Sequence, residues 1–168
     1  GPVVAAAVIL PGLASASFSE EDEALYAQVA REMARGGDLL TPSYLDRPCF
    51  HKPALEFWLM AGAGSLAGPG EFGARLPSAV SGILLIVAVY LVSVRLSGSG
   101  AGLIAAGMLL FGQQVLFEHG FRSAVLDAEL TLGCFLLLLG GWYAERSRTA
   151  LVVGVAALAA VLMLKAPV

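Results

Sequence analysis

Eight ionisable residues in this chain keep company that suggests chemistry: Asp22, Glu23, His51, Lys52, Arg122, Asp127, Glu129 and Lys165. Asp22 and Glu23 open the stretch DEALYAQVAREMARGG, His51 and Lys52 precede PALEFWLMAG, and Arg122 stands five residues before Asp127. Carboxylates accept protons and cations bind phosphate. Acids and cations gathered at one membrane face therefore suit a site that holds a phosphate head group and takes a proton from a substrate. The same residues have a plainer reading, as interface charges that cap helices and anchor lysines at the membrane surface. Asp127 and Glu129 are two apart, about 200° around a helix, so they are expected on different faces. Adjacent Glu118 and His119 lack a third ligand, and the residues give no support for a divalent metal. His51 and His119 read as structural or solvated imidazoles.

These residues need elements to position them, and composition says in what solvent. With 58% hydrophobic and only 14% charged residues and a mean hydropathy of +0.80, the chain reads as a membrane protein. A net charge of −3, with no block of like charge longer than a few residues, gives no sign of nucleic acid as a partner. Cys49 and Cys134 fall in a polar loop and an apolar run, which gives neither a disulfide nor a metal pair. The expected fold is all-α: a polytopic transmembrane helical bundle with amphipathic surface helices in its first extracytoplasmic loop.

The boundaries follow from hydropathy. Residues 1–17 read as the end of a first membrane helix and 18–72 as an extracytoplasmic loop. Residues 73–96, 100–118, 123–144 and 149–165 read as further spans, since a hydrocarbon core of about 30 Å takes about 20 helical residues. Strict alternation puts the 18–72 loop, the corner before Asp127 and Lys165 on one side of the membrane. Arg95, Arg146 and Arg148 fall on the other side, cytoplasmic by the positive-inside tendency. Within the loop, Leu25, Val29 and Met33 recur at four-residue spacing, the mark of an amphipathic helix. Ser19 and Asp22 resemble its capping box. The stretch TPSYLDRP reads as a turn-rich loop, and Pro53 as the start of a second helix whose Phe57 and Trp58 suit an interface.

The order of motifs resembles one family: the integral-membrane GT-C glycosyltransferases of the family 39 group, related to the lipid A aminoarabinose transferase and the protein O-mannosyltransferases. The resemblance is carried by DEALYAQVAREMARGGDLLTP, FHKPALEFWLMAG, EFGARLPSAVSG, FRSAVLDAELT and LMLKAPV, in that order along the whole chain. Ala54 stands where the family's K-P-P-L step has its second proline, and Ala166 where its K-G-P step has glycine. The resemblance implies an N-terminal part of a longer protein, whose C-terminal spans and soluble domain are absent here.

It also implies a site. By resemblance, Asp22 is the catalytic base and Asp127 a second catalytic acid position. Lys52 and Lys165 are expected at the phosphate of a polyprenyl-phosphate sugar donor. Glu23 binds acceptor or holds the loop, Arg122 joins the substrate-binding set, and Arg75 orders the loop. The implied reaction moves a sugar from that donor lipid to a hydroxyl acceptor of lipid A, protein or a cell-envelope glycan. Its setting is the outer face of the bacterial inner membrane, with membrane lipid as partner and no cofactor assured. Two other classes stay open on the residues alone: a transporter or lipid flippase, and a non-catalytic membrane scaffold. The first requires charges at mid-bilayer depth, whereas the spans centred on Ile86, Leu109 and Ala156 carry none.

Overall fold

In the computed structural model, the structure describes residues 2–15, 17–18, 21–45, 47–50, 52–112, 115–116 and 120–165. Ser19, His51, Glu118 and His119 lie outside the described residues, and with them the capping box and both histidines.

The chain is helical, as its composition requires. In order it forms α1 (Pro2–Ile9), α2 (Glu21–Gly36), β1 (Ser43–Tyr44), β2 (Arg47–Pro48), α3 (Leu55–Ala67), α4 (Glu71–Ser97), α5 (Ser99–Phe111), α6 (Asp127–Tyr143) and α7 (Arg148–Leu164). The two short strands pair antiparallel, Ser43 with Pro48 and Tyr44 with Arg47. They are a small departure from the all-α expectation. TPSYLDRP closes on itself because Leu45 adopts a positive φ of 52°, and its N–H donates to Glu32 Oε1 at 3.1 Å.

The charged stretch folds as its pattern dictates. Three acids occupy the first turn of α2 and Arg35 the last, each sign at the end of the helix dipole that favours it. Tyr26, Ala27, Val29, Ala30 and Met33 are buried on one face. Gly37 ends the helix with a φ of 72°, a conformation that glycine reaches without a Cβ clash. α3 starts at Leu55, two residues after the expected Pro53, and packs on α2. The Tyr26 and Phe57 rings meet edge to face at 5.9 Å, and the Trp58 indole N–H is given to the Leu39 carbonyl.

Among the described residues, α4 is the one helix long and apolar enough to cross a membrane. Its 27 residues span about 40 Å. α5 has 13 residues, and α6 and α7 have 17 each, reaching roughly 20 to 26 Å. α6 and α7 form an antiparallel pair that crosses where Gly140 meets Gly154: a Cβ on Gly140 would run into the Gly154 backbone. Ser147 starts α7 by accepting the Ala150 N–H on its hydroxyl, the N-cap bond that an apolar helix needs at a wet end.

Two buried clusters divide the interior. One joins α2, α3 and the corner before α6, through Tyr26, Val29, Met33, Phe57, Met60, Val125 and Leu126, and includes Leu164 at the end of α7. The other joins α1, α4 and α5 through Ile9, Leu13, Leu85, Ile86, Leu110 and Phe121. The corner 120–126 serves both. Helix α6 begins at Asp127, four residues later than the expected 123, because this corner is otherwise engaged: Phe121 packs against Gly82, and the Ala124 N–H is bound to a side chain of α2. Leu84, Leu91, Leu103, Met108, Leu138, Trp142 and Val152 are exposed on α4 to α7.

Candidate functional site

Glu23 and Arg75 fasten the loop to the helices. Both are buried, and the guanidinium reaches the carboxylate at 3.2 Å through Nε and through one terminal nitrogen. The other terminal nitrogen donates to the Leu13 carbonyl at 2.8 Å, while the first also reaches the Ser17 carbonyl at 3.2 Å. Phe18 lies under the guanidinium, 5.4 Å from its carbon to the ring centroid. Glu23 Oε1 in addition accepts the Ala124 N–H at 2.6 Å. One carboxylate thereby ties α2 to α4 and to the corner that starts α6. Of the two roles expected for Glu23, its 1% exposure and these partners fit holding the loop. Arg75 stands where a loop-ordering arginine must.

Beside this anchor, three helices bring acids together around Tyr26. Asp22 lies exposed in the first turn of α2, and Tyr26, one turn on, donates its phenol hydrogen bond to it. Burial raises the Tyr26 phenol from 10.0 to about 12, assisted by the negative charges of Asp22, Glu56 and Asp127 and by that hydrogen bond. The phenol therefore stays neutral while it feels all three carboxyl groups. Asp22 and Asp127, placed 105 residues apart in the sequence, thus face a common neighbour.

Glu56 is a buried acid beside these residues that the sequence reading passed over. It sits in the first turn of α3 with no exposed surface, and neither carboxylate oxygen has a hydrogen-bond partner among the described residues. Its carboxyl is held well above the usual range, first by burial and then by Glu129 and Asp127. The available signal was one acid inside the apolar run PALEFWLMAG. Asp127 and Glu129 both lie within electrostatic reach of Glu56. Glu129 is buried, with Oε2 3.4 Å from the Ser78 hydroxyl, which also reaches the Val125 carbonyl at 3.0 Å.

The cations are placed less centrally. Lys52 is half-buried just before α3, and Lys165 is exposed directly after α7, next to Leu164, which is buried in the same cluster as Tyr26. Arg122 is half-buried and gives a terminal N–H to the Pro11 carbonyl, bridging the corner to the segment after α1. Among the described residues no group of three histidine, cysteine or acidic side chains is arranged to hold a metal ion.

Comparison with known proteins gives this arrangement a context. Residues 51–167 match the family model described as dolichyl-phosphate-mannose-protein mannosyltransferase, a stretch that includes Lys52, Glu56, Arg122, Asp127 and Lys165 and leaves out Asp22. The chain is 32% identical over 128 residues to the undecaprenyl phosphate-alpha-4-amino-4-deoxy-L-arabinose arabinosyl transferase of Pseudomonas savastanoi pv. phaseolicola, covering 75% of this chain and 24% of that protein. It is 33% identical over 135 residues to the protein of the same name from Pseudomonas aeruginosa strain LESB58, covering 79% and 24%. The chain thus spans about a quarter of the length of the curated relatives it matches. Two crystal structures of ArnT from Cupriavidus metallidurans superpose on 97% of this chain and 31% of their own. The apo form gives a TM-score of 0.85 at 27% identity, and the form bound to undecaprenyl phosphate 0.79 at 28%. With more than half of its length inside the family model, the chain belongs to the dolichyl-phosphate-mannose-protein mannosyltransferase family.

Proposed function

We propose that this chain is the N-terminal part of a polytopic membrane glycosyltransferase, which moves a sugar from a polyprenyl-phosphate donor to a hydroxyl acceptor at the extracytoplasmic face of the bacterial inner membrane. The observation that carries the reading is the convergence of Asp22 and Asp127 on Tyr26, at the end of the bundle where Lys52 and Lys165 also stand. The relatives named for undecaprenyl-phosphate aminoarabinose support that lipid as the donor to test first. In this reading α1 and α4 to α7 are spans, α2 and α3 lie on the outer surface, and Arg95, Arg146 and Arg148 face the cytoplasm.

The chemistry needs both signs of charge. A hydroxyl is a weak nucleophile, so Asp22 takes its proton as the oxygen attacks the anomeric carbon. The bond from that carbon to the lipid phosphate breaks as the new one forms. Lys52 and Lys165 stabilise the charge gathering on the departing phosphate, with Arg122 in support. Asp127 supplies the second carboxylate, and Glu23 positions Asp22 by fixing the first turn of α2.

The test uses the full-length parent protein, purified with and without Asp22→Asn and Lys52→Ala and given undecaprenyl-phosphate aminoarabinose and lipid A. Asp22→Asn should retain the donor and lose transfer by about 100-fold or more, the usual share of a general base. Lys52→Ala should lose retention of the donor. Normal transfer by both variants would sink the proposal.

A further inference from the structure

Glu56 poses a problem that the anchor and the acid pair leave unsolved. Its exposure is 0%, and both of its oxygens are without a hydrogen-bond donor among the described residues. An ionised carboxylate in such a place loses its hydration and gains nothing in return. Its surroundings make ionisation worse. From α2 it meets Tyr26, itself bonded to Asp22, and from α6 the carboxyl groups of Asp127 and of the likewise buried Glu129. α4 contributes Arg75, committed to Glu23 and to two carbonyls, and α7 ends in the exposed Lys165. With no exposed surface and no cation bonded to its oxygens among the described residues, the carboxyl is best satisfied by a proton.

We propose that Glu56 is a neutral carboxylic acid at working pH and a positioning residue, holding one proton at the junction of α2, α3 and α6 so that the acid cluster carries one negative charge fewer. The consequence rests on the proposed function. A donor phosphate arriving at Lys52 and Lys165 meets the field of Asp22 and Asp127, and a further carboxylate at Glu56 would oppose it more. Protonated Glu56 keeps that face receptive to an anionic lipid; loss of the proton repels the donor without touching the reacting atoms. The group therefore acts on donor binding and not on the chemical step.

Two measurements on the full-length protein decide this. Infrared difference spectra of wild type against Glu56→Gln should show the C=O stretch of a protonated carboxylic acid at pH 7, fading at higher pH. Absence of that band at pH 7 overturns the proposal whatever the protein's activity. The second measurement is the pH profile of transfer. In wild type the KM for undecaprenyl-phosphate aminoarabinose should rise by up to about tenfold per pH unit above the titration of Glu56, with kcat at saturation little changed. Glu56→Gln, permanently neutral and of the same shape, should show a flat KM. Equal slopes in the two proteins would leave Glu56 a buried acid of the core alone and overturn the positioning role. If the band is present but wild type transfers no sugar from the lipid, the proposed function fails, and the positioning role fails with it.

Discussion

The buried Glu23–Arg75 pair is where one substitution does most damage. Removing either partner strands a charge that the fold has already desolvated, and such losses cost about 3–5 kcal/mol. Glu23→Ala and Arg75→Ala should each lower the unfolding temperature of the purified protein markedly. Arg75→Lys should restore little, because an ammonium cannot reach two carboxylate contacts and two carbonyls at once; a wild-type melting curve for Arg75→Lys would contradict the geometry. Tyr26 gives a prediction in pH. Its phenol is raised from 10.0 to about 12, so the folded state holds the proton more tightly than the unfolded chain. That stability is complete below pH 10 and is lost as pH rises through about 12. Tyr26→Phe should flatten this alkaline loss in a stability profile, and an unchanged profile would show that another group governs it.

At the level of elements, the corner 120–126 matters as much as any helix. Phe121 occupies the space that Gly82 leaves open on α4, where an added Cβ would lie 2.6 Å from the ring Cδ1 and 2.7 Å from the Phe121 Cβ. Gly82→Ala should therefore cost about 1–3 kcal/mol through overpacking. The cost should shrink in a Phe121→Leu background, because residues in contact do not act additively. A double-mutant cycle in which the two changes simply add would place them apart. The same corner carries the Ala124 N–H that Glu23 accepts, so a shift in Phe121 is transmitted to the first turn of α2 and to Asp22.

For the whole molecule, the proposed topology sets the two ends of α4 on opposite sides of the membrane. Leu40, in the surface loop, is 81% exposed, and Leu96, near the far end of α4, is 73% exposed. In full-length protein stripped of native cysteines, Leu40→Cys should react with a membrane-impermeant thiol reagent on intact cells, and Leu96→Cys only after lysis; the reverse pattern would invert the orientation. The sequence by itself determined what short-range physics writes directly. Hydropathy marked the apolar helices, four-residue spacing marked the buried face of α2, and ordered motifs marked the family. It also nominated Arg75 to order the loop. The tertiary structure alone decided which side chains meet. Glu23 turns inward because Arg75 and the Ala124 N–H, 52 and 101 residues away, await it there. Asp127 and Glu129 come within electrostatic reach of Glu56, more than 70 residues earlier, only through the tertiary fold. Glu56, one acid in a greasy run, becomes consequential only when three helices close over it: burial and charge coupling depend on distances between elements, which no local spacing encodes.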